Sequence, residues 1–321
     1  MNAPQITLVL LAALAGVFST ACNRSEGTRI VVTPKATAHV FWQTVHAGAR
    51  AAGRESGVAI EWLGPAAETD FARQIEIVDS AITSRADGIV LAPTEATSLV
   101  GVVEQAARES VPLVVFDSGI GTEDYVSFVA TNNYEAGGKA ARTLGALLNG
   151  NGTIAMVKNV AGSSSTMQRE KGFEDTLAAE FPGIRKVAEQ YCSSDVAKAL
   201  AAAENMLTAH PDLDALFASA EPATVGAGRA LRGRDLTGKV KFVGFDFSDP
   251  IEQDLRAGVV DALVVQDPFN IGYQAVKAVL AKIAGETPQK QIDTPATVVT
   301  KENIDSPEID RLVHPDISAD N

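Results

Sequence analysis

"VKFVGFDFSD", Val240 to Asp249, is an apolar run that reads as a strand covered on both faces and that ends on a carboxylate. A charge at the end of a buried strand is expensive unless something compensates it. Asp246 is therefore either a cap for the helix that follows or a group offered to a ligand. Ser248 and Asp249 stand closer to the next helical pattern and suit the cap better, which assigns Asp246 to a ligand.

The same unit recurs along the chain: a short run rich in Val, Ile, Leu and Phe, a polar turn, then a stretch with helical spacing. Nine such runs are "IVVT" (from Ile30), "VAIEWL" (Val58), "GIVLAP" (Gly88), "PLVVFD" (Pro112), "VSFVAT" (Val126), "TIAMVK" (Thr153), "ALFASA" (Ala215), "VKFVGFD" (Val240) and "ALVVQD" (Ala262). Between them, Phe71, Ile75, Val78 and Ile82 step by four and three, as do Val196, Leu200, Ala203 and Leu207. Successive parallel strands need helical crossovers, so the pattern predicts an α/β protein with Rossmann-like parallel sheets. At roughly 150 residues per domain, 321 residues make two lobes.

Open parallel sheets bind ligands at the carboxyl ends of their strands. Here those ends carry Thr33 to Lys35, Ala92 to Thr94, Asp117 and Ser118, Thr131 to Asn133, Val160 to Thr166, Ala220 and Glu221, Asp246, and Gln266 with Asp267. The set is polar and nearly devoid of catalytic pairings. No Ser lies in a G-x-S-x-G context, no Cys pairs with His, and "GGKAA" at Gly137 lacks the flanking residues of a phosphate loop.

Composition narrows the partners. Net charge is −13 with Lys and Arg scattered singly, so no basic patch exists for nucleic acid. The four histidines, at 39, 46, 210 and 314, show no metal-ligand spacing, and neither a metal nor a cofactor is expected. The opening "MNAPQITLVLLAALAGVFSTAC" has an apolar stretch from Ile6 to Phe18, too short to span a bilayer comfortably, and no charge before Cys22. It reads as an export signal over 1–21. Small residues leading to Cys22 resemble a bacterial lipobox, which implies acylation of that cysteine and a polar tether over 22–28. Cys192, the one other cysteine, is expected to be a buried small hydrophobe.

From about Arg29 to about Thr300 the chain resembles the ribose-binding-protein-like sugar-binding proteins of bacterial ABC transporters, type I periplasmic binding proteins whose fold also serves lac-repressor-type regulators. The resemblance rests, in order, on "FWQTVHAGARAAGRESGV", "DGIVLAPTE", "VPLVVFDS", "ATNNYEAGGKAA", "QREKGF", "LTAHPDLDALFAS", "VGFD" and "VVQDPFNIGYQAVKAV". It implies two lobes joined by a three-crossover hinge, 29–131 plus 267–294 and 132–266 plus 295–321, with a sugar or polyol trapped between them and an ABC permease as partner. It further implies a monomer in the periplasm or at the cell-surface side of the cytoplasmic membrane; the lipobox adds attachment to the membrane by the lipid anchor alone.

The residue types suit such a ligand: a carboxylate accepts from two vicinal hydroxyls, a guanidinium donates to two, an amide does one of each, and an aromatic ring stacks on the C–H face. On these grounds, and for Arg169, Phe41 and Trp42 because the resemblance implies a ligand arginine and stacking aromatics at those positions, the candidate ligand residues are Asp117 and Asp246, one from each lobe, with Arg169, Gln266, Trp42, Phe41, Asn133, His39, Ser118 and Glu221. Of the adjacent Phe41 and Trp42, helical spacing turns one to the core, and Trp42 is preferred for the sugar. Of Asn132 and Asn133, one caps the helix and the other faces the cleft. The chain departs from the ribose pattern at Ala92, Ser118, Ser194 and Ala220, which argues against ribose itself and for a larger or differently substituted sugar. A regulator would need a basic helix-turn-helix where the export signal stands. A sensor lipoprotein presenting bound sugar to a chemoreceptor or kinase is an alternative that the residues do not separate from transport, and a binder of a non-sugar solute is another.

Overall fold

The computed structural model describes residues 27–315; the export segment 1–21 and Cys22 lie outside the described residues. All nine apolar runs are strands. Strands β1 (Arg29–Thr33), β2 (Ala59–Trp62), β3 (Gly88–Leu91), β4 (Leu113–Phe116), β5 (Phe128–Ala130) and β11 (Gln291–Asp293) form a parallel sheet in the order β11-β5-β4-β3-β1-β2. Strands β6 (Asn151–Lys158), β7 (Gly183–Tyr191), β8 (Ala215–Ala218), β9 (Lys241–Phe245), β10 (Ala262–Val265) and β12 (Thr297–Thr300) form a second, ordered β12-β10-β9-β8-β6-β7, parallel except that β12 runs against β10. The three strands without an apolar run, β7, β11 and β12, all lie at sheet edges. An edge strand can keep exposed positions, as β7 does with Arg185, Lys186, Glu189 and Gln190, and then carries no continuous apolar signal, whereas β2, the fourth edge strand, does carry an apolar run.

Helices cover both faces of each sheet, which is why the inner strands are apolar throughout. In β1, Ile30 and Val32 face the layer of α1 (Val40–Ser56) and α9 (Pro268–Ile283), while Val31 faces α2 (Phe71–Thr83) and α3 (Val100–Arg108). In the second lobe, α4 (Asn133–Leu147) and α5 (Ser164–Glu180) cover Met156, Phe217 and Phe245, with Phe173 stacked on Phe217 at 4.0 Å between ring centres. The opposite face packs Leu216, Phe242 and Leu263 beneath α6 (Val196–Ala209), α7 (Glu221–Gly233), α8 (Asp249–Ala257) and α10 (Pro307–Val313).

Because β1 to β5 and β11 belong to one sheet and the remaining strands to the other, the chain crosses between lobes three times: after β5, after β10 and between β11 and β12. The first and third crossings are tied together. Thr131 Oγ1 donates to the Thr294 carbonyl at 2.8 Å, and the Asn132 N–H donates to Asp293 Oδ1 at 3.0 Å.

In each lobe one pair of helices on the same sheet face meets at reciprocal glycines. A Cβ on Gly48 of α1 would stand 1.9 Å from the Phe269 carbonyl oxygen of α9, and one on Gly272 of α9 would stand 2.1 Å from that of Val45. In the second lobe the pair is Gly137 of α4 against the Arg169 carbonyl, 1.9 Å, and Gly172 of α5 against that of Tyr134, 2.0 Å. These crossings give "HAGARAAG", "PFNIGYQAV", "EAGGKAA" and "QREKGF" a packing role: the helix backbones touch.

Candidate functional site

Strands β4 and β9 end on Asp117 and Asp246, and both aspartates take a left-handed backbone, φ +59° and +66°. Aspartate is one of the few side-chain-bearing residues that tolerates this region, and the turn ends each strand at the space between the lobes. No helix follows β4 directly, so Asp117 caps nothing. Asp246 does not cap α8 either. Its Oδ2 accepts the backbone N–H of Glu221 at 3.1 Å, at the start of α7, and its Oδ1 accepts from Gln266 Nε2 at 2.8 Å.

Arg169 is the largest fully buried side chain among the described residues and stands 2% exposed. Asn133 Oδ1 accepts from its Nε and Nη2 at 3.1 and 2.8 Å, and its Nη1 donates to the Ser219 carbonyl at 2.7 Å. The guanidinium lies 4.1 Å above the Phe245 ring and 3.8 Å from Asp246 Oδ2. Asn133 therefore holds Arg169, whereas Asn132 caps α4 by accepting from the Glu135 N–H. Burial raises the Asp246 carboxyl above its ordinary pKa; Arg169, Gln266 and the Glu221 N–H oppose that rise and the Asp117 charge adds to it.

The first lobe supplies the facing wall. Lys35 Nζ lies 2.7 Å from Asp117 Oδ2, with both side chains buried. Phe41 and Trp42 meet edge to face at 5.0 Å, and both line the cavity, where helical spacing suggested that one would turn to the core. They sit in the first turn of α1, so the end of the helix rather than one face is presented. Trp42 Nε1 donates to Glu68 Oε1 at 2.9 Å.

Polar contacts span the lobes. Lys35 donates to Ser163 and Ser165 Oγ at 3.0 and 2.9 Å, the Ser165 N–H donates to Ser118 Oγ at 2.9 Å, and Asn159 Nδ2 donates to Glu68 Oε2 at 3.3 Å. His39 Nε2 stands 3.4 Å from Ser194 Oγ, and its Nδ1 stands 3.7 Å from Glu221 Oε2. One cavity is thus lined by Asp117, Asp246, Arg169, Gln266, Trp42, Phe41, His39 and Glu221, while Ser118 and Asn133 act from behind it.

Glu221 titrates anomalously. Burial pushes its carboxyl up to about 7, the Asp246 and Glu68 charges add to the rise, and the Ser248 hydroxyl opposes it. An acid with a raised pKa binds more protons folded than unfolded, so this group's contribution to stability falls as pH climbs from about 4.5 to about 7. Glu221→Gln is expected to exceed wild type in unfolding free energy by on the order of 3 kcal/mol at pH 8, with the gap closing toward pH 5. Denaturant unfolding at the two pH values measures it; a gap that stays constant would refute the titration.

Lys35, Asn159 and Glu68 also line the cavity with charged or amide groups, and none of them is among the candidate ligand residues. Lys35 stands among the strand ends, but nothing in the sequence sets it apart from a solvated lysine. Asn159 follows the last residue of β6, one position before the loop that begins at Val160, and Glu68 lies in a connection with no periodic signal. Cys192 is fully buried, and its thiol is pushed up to about 11 by burial. Among the described residues no cluster of three His, Cys, Asp or Glu could hold a metal ion, and no helix is long and apolar enough to cross a membrane.

Residues 30–287 match the periplasmic binding protein domain family. A D-ribose/D-allose-binding protein from Pseudomonas aeruginosa is 30% identical over 310 residues, covering 89% of this chain and 97% of that protein. Among solved structures, a carbohydrate transporter solute-binding protein from Agrobacterium radiobacter in complex with D-arabinose superposes with TM-score 0.88 at 36% identity, covering 90% of this chain and all (100%) of the other. An ABC transporter solute-binding protein from Agrobacterium vitis with bound D-fucose gives TM-score 0.86 at 35% identity, with 89% and 99% coverage.

Proposed function

The chain belongs to the periplasmic binding protein domain family, and from that premise we propose that it is the solute-binding component of an ABC sugar importer. It captures a monosaccharide or related polyol between its lobes and delivers it to a membrane permease. It is a transport binding protein and not an enzyme. The observation that carries the ligand class is the cleft itself. Asp117 and Lys35 stand beside the Phe41 and Trp42 rings on one wall, and Arg169, Asp246 and Gln266 stand on the other. That is an alternation of donors and acceptors next to aromatic surface, which suits vicinal hydroxyls on a C–H face.

In this reading the lobes, 29–131 plus 267–294 and 132–266 plus 295–321, hinge about the three crossings. Closure about the ligand makes the shape that the permease recognises. The protein works as a monomer in the periplasm. Acylation at Cys22 tethers it to the membrane, which incorporation of labelled palmitate at that residue would report.

A thermal-shift panel of pentoses, hexoses, polyols, nucleosides and amino acids tests the ligand class. Ligand at about one hundred times its Kd stabilises the native state by roughly 2.7 kcal/mol, which raises Tm by several degrees. A rise with a sugar is the expected result; a rise with a nucleoside or amino acid and none with any sugar would replace the ligand class.

A further inference from the structure

The polar groups of the cleft do not balance. Asp117 has the Lys35 ammonium at 2.7 Å, and Asp246 has two hydrogen-bond donors with Arg169 close by. Glu68 accepts from the Trp42 indole and the Asn159 amide but meets no cation there. Glu221 is 8% exposed, and its Oε2 has no hydrogen-bond partner: the nearest ring nitrogen, His39 Nδ1, stands at 3.7 Å, beyond hydrogen-bond range, and the Ser248 hydroxyl, which opposes the rise of this carboxyl, is itself without a hydrogen-bond partner. Gln266, 2% exposed, likewise has an Oε1 without a donor. Four carboxylates thus face two permanent cations across one cavity, and two buried acceptors in it are unmatched.

A buried acceptor without a donor is costly, and a buried carboxylate without a counter-charge more so. Sugar hydroxyls supply donors but no charge, whereas an ammonium supplies three donors together with the charge. We propose that Glu221 is a specificity-determining residue that selects a ligand carrying a protonated amine, so that the protein takes an amino sugar or amino polyol in preference to its hydroxyl counterpart. The inference rests on the sugar reading above and refines its ligand class. The energetic cost is visible in the protein alone: burial and the neighbouring Asp246 and Glu68 charges hold the Glu221 proton to about pH 7, and an ammonium beside Oε2 would displace that proton and restore the charge-assisted bond.

Glu221 reaches this position through its place in the chain. It is the first residue of α7, its backbone N–H is held by Asp246, and Pro222 follows it in the first turn. Its side chain therefore starts from a fixed point on the second-lobe wall. The small Ala220 before it, also on the cavity lining, leaves the space in front of it open to a substituent larger than hydrogen.

The test is isothermal titration at neutral pH with 2-, 3- and 6-amino-deoxyhexoses and 1-amino-1-deoxyalditols, each beside its hydroxyl parent and its N-acetyl form. At least one amine is expected to bind about tenfold or more tighter than its parent, with acetylation abolishing the gain, because a charge-assisted hydrogen bond in a dry site is worth at least that factor. In Glu221→Gln the ratio of amine to parent affinity is expected to fall toward one. Parents that bind as tightly as or tighter than every amine would overturn the inference while leaving sugar binding in place. A preference that persists in Glu221→Gln would overturn the assignment to Glu221. Absence of binding by every sugar, amine or parent, would overturn both this inference and the function it refines. If the variant fails to fold, the acetylated forms still decide the matter in the wild-type protein.

Discussion

Asp246→Asn is expected to weaken sugar binding by about two orders of magnitude while the protein stays folded. Asparagine has nearly the volume of aspartate and tolerates the left-handed backbone at φ +66°, so the turn at the end of β9 survives. The electrostatics do not. Two donors, Gln266 Nε2 and the Glu221 N–H, converge on the carboxylate, and an amide can face only one of them with its oxygen. Arg169, 2% exposed, then keeps its charge with only neutral partners, Asn133 and the Ser219 carbonyl, in bonding contact. Breaking one partner of a buried charged pair typically costs about 2–5 kcal/mol in binding, and about 2.7 kcal/mol is one hundredfold in Kd. Asp246→Ala should lose as much affinity and in addition melt earlier, because alanine resists the left-handed turn. Titration calorimetry on both variants provides the check, and an asparagine variant within threefold of wild type would remove Asp246 from the ligand.

Gly137→Ala is expected to lower Tm by several degrees or more and to weaken ligand binding, although residue 137 touches no ligand. The added Cβ would meet the Arg169 carbonyl oxygen at 1.9 Å and the Phe173 backbone nitrogen at 2.9 Å, so α4 and α5 must separate. Overpacking of this kind costs typically 1–3 kcal/mol, at about 2–4 °C per kcal/mol for a chain near this size. The displaced backbone is that of Arg169 itself, whose guanidinium is fixed by Asn133 on the other helix of the pair, so separation pulls both ends of that contact apart. Gly101→Ala in α3 is the control: nothing lies within 4 Å of its added Cβ, and the exchange should stabilise by about 0.5–1 kcal/mol. Equal Tm changes for the two variants would show that helix propensity, not the crossing, governs both.

Most of the fold was legible because doubly covered parallel strands must be apolar throughout, so Ile30 to Thr33 or Ala262 to Val265 announce themselves without neighbours in view. Strands β7, β11 and β12 were silent because an edge strand has positions that face solvent and need not be apolar throughout; β2, at the fourth edge, is apolar enough to show. The strand-end rule brought out Asp117, Asp246 and Gln266 for a geometric reason: all parallel strands of a lobe end on one side, and the two lobes turn those sides toward each other. Glu68 lies outside that rule. It reaches the cavity from a connecting segment, held by an indole and an amide from different lobes.

What the amino-acid sequence by itself determined is the alternation of strand and helix and the polar residues delivered to the strand ends, which follow from local periodicity and burial, and the two-lobe plan, which follows from chain length. What only the tertiary structure decided is which polar groups answer one another. Lys35 neutralises Asp117, Asn133 steadies Arg169 while Asn132 caps a helix, the glycine motifs prove to be helix crossings, and Glu221 Oε2 is left without a hydrogen-bond partner. Each is a distance of a few ångströms between residues far apart in the chain, and spacing along a sequence carries no such distance. The carboxylate that ends "VKFVGFD" is costly when taken alone; with Arg169, Gln266 and the first N–H of α7 around it, it becomes the charged centre of one cleft wall.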